Sequence, residues 1–217
     1  MMEIEFFGGN CFRIKTKETT VVVDDNLSAL GGKSITTDKS ASLYTQVALV
    51  DQKAAGKSRI FIDSAGEFEI GDLTITGMQA RGHMDEEGEA HATVFQFMAK
   101  NQKITVTGHI HPDMSSELVE FIAGTDVLVV PVGGGGYTLD PVGATKVMKK
   151  AESSVVIPSQ YETKGLKFEV PPLSLDEFTK LPNIEPGEPQ DSFKMSELPA
   201  DDLAAATAKV VILNVKG

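Results

Sequence analysis

The sequence predicts an α+β fold (α/β by some schemes) built as a two-layer sandwich, on three observations. Lys103 to Gln160 carries three apolar runs, ITVTG, DVLVVPV and SVVIP, rich in the β-branched residues that suit strands buried on both faces. Two helical stretches separate those runs, giving strand, helix, strand, helix, strand. The first half of the chain reads mostly as short strands joined by hairpins, so a β-rich half precedes βα units, as in a layered sandwich.

In order, Met1 to Gly9 and Asn10 to Thr16 read as strands around a Gly8-Gly9 turn, and Thr19 to Val23 as a third, ending in Asp24-Asp25-Asn26. Those short polar groups serve either as a turn held by side-chain-to-backbone hydrogen bonds or as carboxylates directed into a site. Ala29 to Lys39 is loop, Ala41 to Val50 a strand, Asp51 to Ala55 a short helical piece and Ile60 to Asp63 a strand. Gly66 to Gly77 reads as a hairpin turning at Gly71-Asp72, followed by a polar loop from Arg81 to His91. Thr93 to Met98 and Ile104 to Thr107 pair across an Asn101-Gln102 turn.

Ser115 to Ala123 is a helix with Asp113 or Ser115 as its N-cap, and Asp126 to Val132 is a strand. Gly133 to Gly136 is a flexible turn, and Asp140-Pro141 opens a helix running to about Ala151. Val155 to Pro158 is a strand, and Leu173 to Lys180 a short amphipathic helix. From Leu181 to Asp202 four prolines sit among acidic and small residues, which reads as a surface tether rather than packed core. Lys209 to Val215 then returns a strand. The expected organisation is a domain over 1–180, a tether over 181–202, and an extension over 203–217 whose strand joins the same domain.

Composition narrows the function classes. At 217 residues with 41% hydrophobic side chains, the chain can bury one large core. Acidic residues outnumber basic ones, 31 to 20, for a net charge of −11, a field that opposes nucleic acid and anionic membrane surfaces. The one dense basic cluster, Lys146, Lys149 and Lys150, has the spacing of a solvated helix face. Cys11 is the single cysteine, so neither an intrachain disulfide nor a thiolate cluster is expected, and it reads as a buried structural thiol. No signal-like opening and no 18-residue apolar span is present, so the expectation is a soluble, cytoplasmic protein without a membrane partner. Gly133 to Gly136 lacks the Lys-Ser/Thr partner of a phosphate-cradling loop, and no nucleophile elbow surrounds Ser159.

Several segments together resemble the metallo-β-lactamase superfamily, in particular a bacterial branch of metal-dependent hydrolases similar to ascorbate-phosphate lactonases. They are Gly9-Asn10-Cys11-Phe12, Val23-Asp24-Asp25, Ala65-Gly66-Glu67-Phe68-Glu69-Ile70-Gly71 and Val130-Pro131-Val132-Gly133-Gly134-Gly135-Gly136-Tyr137-Thr138-Leu139-Asp140. The resemblance covers Glu3 to about Lys180 and implies a four-layer αβ/βα sandwich, with two mixed sheets face to face, helices outside and a site at one edge. The family signature, His-x-His-x-Asp-His after a strand ending in Thr, positions two metals around a bridging hydroxide. Here the matching stretch is Thr45-Gln46-Val47-Ala48-Leu49-Val50-Asp51, with Gln46, Ala48, Val50 and Asp51 at the ligand positions. By the same match His83 keeps an isolated family histidine, His109 replaces a bridging aspartate, Gln160 replaces the last histidine and Asn10 an early one.

Amides are poor ligands for a catalytic zinc or iron, and Ala and Val are none. The expectation is therefore a scaffold without its binuclear metal and without a cofactor. It would be a non-catalytic pseudoenzyme whose pocket is lined by Asn10, Asp24, Gln46, Asp51, His83, His109 and Gln160, and which binds a small polar ligand or a protein partner. The alternative is a hydrolase of phosphoesters or lactones, using a single divalent Zn, Mn or Fe held by His83, His109, His111 and Asp24. That alternative needs residues 109 and 111 on one face of an extended strand. An assembly role, with the tether and final strand contacting a neighbouring subunit of a homo-oligomer, is a third reading.

Overall fold

The strands sort into two mixed sheets in the computed structural model, which describes residues 1–198 and 208–216. The first sheet contains β1 (Glu3–Gly8), β2 (Cys11–Lys15), β3 (Thr20–Val23), β4 (Ala41–Leu43), β5 (Ile60–Ile62) and β12 (Phe193–Lys194), in the order β12-β1-β2-β3-β4-β5. The second contains β6 (Gly66–Ile70), β7 (Leu73–Ala80), β8 (Ala92–Ala99), β9 (Gln102–Val106), β10 (Val127–Pro131), β11 (Val155–Ser159) and β13 (Lys209–Val210), in the order β13-β11-β10-β9-β8-β7-β6. Hairpins, together with the long-range β12–β1 pair, make the antiparallel part of each sheet, whereas β3-β4-β5 and β9-β10-β11-β13 are parallel. All five residues of β10 and of β11 are buried, as their continuous apolar runs require.

The inner faces meet in one core, where Phe6 stacks on Phe12 at 4.8 Å and Phe95 and Phe97 lie 6.4 Å apart. Four short helices are described: α1 (Gln52–Ala55), α2 (Ser116–Ile122), α3 (Pro141–Ala151) and α4 (Leu175–Thr179). Ser115 caps α2 through the Leu118 amide, and Asp140 caps α3 through Gly143 with Pro141 in the first turn. α3 packs on β10 and against α2 and α4. Its Lys146, Lys149 and Lys150 are exposed, so the basic cluster is a solvated face. Cys11 is buried, and burial pushes its thiol pKa up.

Four expectations change. The strand expected over Ala41 to Val50 stops at Leu43, because Asp24 captures both the amide and the hydroxyl of Thr45 and turns the chain away. Residues Val47–Leu49 form a single 3-10 turn instead. The β8–β9 turn lies one residue earlier than expected, at Lys100-Asn101, where φ values of 52° and 61° match the twist of a tight hairpin. Within the expected tether, Phe193 and Met195 are core residues, with Phe193 in β12 paired to β1. The final run pairs with β11 over Lys209–Val210 only. Leu213 then bridges to Gln190 and Val215 to Phe6, so this segment passes from one sheet to the other. The remainder of the expected tether and extension, 199–207, lies outside the described residues.

A second joint holds that crossing. Glu5 is 4% exposed and receives Arg13 Nε at 2.7 Å, Lys15 Nζ at 2.7 Å and the ammonium of Lys216. Burial alone would raise its pKa, but the three cations outweigh it and hold the carboxyl at about 2.

At the site edge, Gly133 follows β10 with its carbonyl accepting from the Leu173 amide at 2.7 Å. A side chain there would overlap the Gln160 backbone carbonyl and touch Pro172. Gly133→Ala should therefore destabilise the protein by about 3 kcal/mol, lowering the melting temperature by roughly 6–12 °C. Thermal unfolding followed by circular dichroism measures this, and an unchanged melting temperature would show that the contact yields freely.

Candidate active site

The site forms where the C-terminal ends of β3, β9, β10 and β11 meet the β1–β2 turn. Its floor is a chain of buried hydrogen bonds. Asp24, fully buried, accepts from the Thr45 amide at 2.7 Å, the Thr45 hydroxyl at 2.7 Å and the Asn10 amide nitrogen at 2.6 Å. Asn10 in turn accepts from the Ser159 hydroxyl at 2.7 Å, joining the first sheet to the second. Burial pushes the Asp24 carboxyl up to about 6, with its three donors pulling the other way. Asp24 and Gln160 both adopt left-handed backbone, with φ of 48° and 54°, a conformation that no local sequence signal announces.

Asp25 faces elsewhere. One of its oxygens takes the Ser34 hydroxyl and the Ile35 and Thr36 amides at 2.8–2.9 Å, plus the Thr36 hydroxyl at 2.6 Å, which ties down the following loop. The turn reading of Asp24-Asp25-Asn26 is thus the better one for Asp25.

Above the floor lies an open cleft of about 1030 Å³. Of the residues expected to line it, Gln46, His109 and Gln160 do. Asn10 and Asp24 lie beneath it, buried in the floor network. Asp51 instead caps α1, accepting from Lys53 N at 2.9 Å and Ala54 N at 3.2 Å and from the Ser28 hydroxyl. Burial would raise its pKa, but those bonds prevail and lower it. His83 is not a lining residue either. Its amide binds the His109 carbonyl at 2.7 Å, and its Nδ1 is buried without a partner. Burial lowers its pKa, against the pull of the Ile110 carbonyl.

His109, 6% exposed, stands against the cleft; burial and nearby His83 bring it down to about 4, so the ring is neutral at pH 7. Gln46 reaches its carbonyl from 3.5 Å. Sequence reasoning missed most of the cleft wall: the Val47–Leu49 turn, Asp63, Tyr137, Phe168 and Glu169 line it from segments far apart in the chain. Nothing in their local sequence marks them.

The alternative metal set does not assemble. β9 ends at Val106, and left-handed Gly108 (φ 59°) packs against Thr45 and turns the chain. His109 and His111 therefore do not share a strand face. His111 Nδ1 accepts from the Asp113 amide at 3.1 Å, and its ring sits 6.1 Å from that of His83. Among the described residues, three His, Asp or Glu ligand atoms gather within 4.8 Å of one another only at Asp85, Glu89 and His91, on the polar loop. There Asp85 accepts from Gly82 N at 2.6 Å, His91 N at 2.8 Å and the His91 ring at 3.0 Å, bonds that already close the loop on itself.

A family model described as the beta-lactamase superfamily domain matches residues 3–160. The chain belongs to this superfamily. No curated protein matches it. Among solved structures, the chain is similar to a proposed Zn-dependent hydrolase of the metallo-β-lactamase superfamily from Thermotoga maritima. The two are 27% identical, with a TM-score of 0.70 over 98% of this chain and 99% of that one. A proposed metal-dependent hydrolase from Veillonella parvula shares 13% identity and a TM-score of 0.63, over 89% and 99% of the two chains. An isothiocyanate hydrolase from Delia radicum gut bacteria shares 12% and 0.55, over 82% and 92%. The last two likenesses speak for the metallo-β-lactamase fold alone. The sandwich of two mixed sheets is the fold of this superfamily member, and no described helix is long and apolar enough to cross a membrane.

The floor network has a pH signature. A carboxyl held at about 6 when folded, against about 4 unfolded, binds its proton more tightly in the fold. Its contribution to stability is therefore full below pH 4 and disappears as pH rises through 6, an effect on the order of 3 kcal/mol. Asp24→Asn, accommodated by a turned-over Asn10 amide, should lose this dependence. Urea unfolding of both proteins from pH 4 to pH 7 measures the difference, and a difference independent of pH would show that Asp24 does not titrate as described.

Proposed function

We propose that this superfamily member is a non-catalytic binding protein, a pseudoenzyme that keeps the scaffold and uses the former active-site cleft to hold a small ligand. The observation that carries the reading is the donor set. At the positions that the family resemblance assigns to metal ligands stand Gln46, Ala48, Val50, Asp51, His83, His109 and Gln160. Asp51 is committed to a helix cap, and His83 does not line the cleft. Two amides, two aliphatic side chains and one cleft-facing imidazole do not fit a pair of divalent cations. No hydrolytic step through a metal is therefore derived for this chain. The name of the Thermotoga maritima protein would carry metal-dependent hydrolysis across; the residues at these positions weigh against that transfer.

The former catalytic floor then has a structural role: Asp24, Asn10, Thr45 and Ser159 fasten the two sheets beneath the cleft. Cytoplasmic location and the absence of a nucleic-acid partner remain part of the proposal, the latter supported by the net charge of −11.

Elemental analysis of protein purified without chelator tests the reading. The expected result is well under one equivalent of Zn, Mn, Fe or Ni. A stoichiometric metal lost on His109→Ala would overturn it. Metal retained by that variant but lost on Asp85→Asn would place the ion on the surface loop instead.

A further inference from the structure

The cleft has a one-sided charge. Its lining includes the carboxylates of Asp63, Asp85 and Glu169 and the imidazoles of His91 and His109, and neither a lysine nor an arginine. The His91 ring is paired with Asp85 at 3.0 Å, which leaves Asp63 and Glu169 as the carboxylates without a partner of opposite charge. Asp85 is already engaged by its own loop. Asp63 and Glu169 take part in no ion pair or side-chain hydrogen bond among the described residues, so their charge faces the cleft uncompensated.

The remaining polar groups add a hydrogen-bond acceptor. His109, 6% exposed, is held neutral by burial and bonds to the Tyr137 backbone through one ring nitrogen. A neutral imidazole beside a bound cation adds no repulsion and can accept from an N–H group.

The walls are apolar and left open. Val47, Met84 and Tyr137 line the cleft while 64%, 67% and 49% exposed, and Leu30, Phe168 and Val170 continue the same surface. A volume of about 1030 Å³ admits a ligand of small-molecule size.

We propose that the cleft binds an organic cation, an amine or quaternary ammonium joined to an apolar body, with Asp63 and Glu169 as the charge-selecting residues and His109 as an acceptor. The inference rests on the metal-free reading above, because a divalent cation in the cleft would reverse the local field. It excludes phosphorylated and carboxylated ligands. With neither lysine nor arginine in the lining, and the His91 ring already paired with Asp85, an anion would meet two uncompensated carboxylates and no free counter-charge. The apolar body accounts for the exposed Val47, Met84 and Tyr137, which a fully hydrated cation would leave uncovered.

The test uses a matched pair of probes, 4-phenylbutylamine and 4-phenylbutyrate, titrated calorimetrically into full-length protein whose metal content has been assayed. The amine should bind at least about tenfold more tightly than the carboxylate, and its affinity should fall as salt is raised. Asp63→Asn and Glu169→Gln should each weaken the amine roughly threefold, and the double variant by about tenfold, with carboxylate binding unchanged or improved. Both substitutions keep side-chain shape, and an unchanged melting temperature verifies that each variant is folded. Equal or tighter binding of the carboxylate, no saturable binding of the amine, or an amine affinity indifferent to both substitutions would overturn the proposal. The two readings fail separately. Metal in the cleft removes the pseudoenzyme reading, whereas metal-free protein that does not prefer the amine removes the charge assignment alone.

Discussion

A carboxylate without exposure to water has to find its hydrogen bonds inside the protein, and at Asp24 that requirement shapes everything around the cleft. Its oxygens take three donors from Thr45 and Asn10. Thr45 is thereby drawn out of line with β4, which ends two residues earlier and releases Gln46 and the following turn toward the cleft. Gly108 packs against the same threonine, which brings His109 beside Gln46. Asn10 relays the network to Ser159 at the end of β11, so one polar chain ties the sheets together at the edge where the apolar core ends. Buried polar chains are favourable only when their members are satisfied, and here the members are joined end to end.

That arrangement separates the architecture from the chemistry. The sandwich is the fold of the superfamily, and a fold does not by itself fix the chemistry of the site that it carries. At this site carboxylates stand on the cleft wall and one lies in its floor, the His91 ring is paired with Asp85, and His83 and His109 are both shifted toward neutrality by burial. The polar loop carrying Asp85 and His91 borders the cleft, and its acidic groups are spent largely on closing the loop.

At the opposite end the closing segment of the chain crosses from β11 to β1, held by Glu5 and its three cations. This joint is harder to read from sequence than the central strands. Phe193 and Met195 lie in a Pro-rich, acidic neighbourhood whose composition suggests a tether, yet both are core residues. Isolated apolar residues between prolines carry no periodicity, so only their tertiary partners distinguish packing from a solvent-exposed linker. By contrast, β10, β11 and α3 were legible almost to the residue, because continuous β-branched runs, an Asp-Pro helix start and a glycine turn all act locally.

The sequence by itself determined the fold class, the order of most strands and helices and the buried thiol, all of which follow from residue identity and short-range pattern. It also singled out Gln46, His109 and Gln160, which do line the cleft. The tertiary structure decided the rest. It placed Asp24 and Asn10 in the floor and Asp51 at a helix cap, and it kept His83 and His111 from joining His109. It also brought Asp63 and Glu169 to one cleft from opposite ends of the domain. The physical reason is range: hydrophobic periodicity and caps act over a few residues, whereas hydrogen-bond satisfaction of a buried carboxylate and the sign of a cleft's charge depend on residues that only folding brings together.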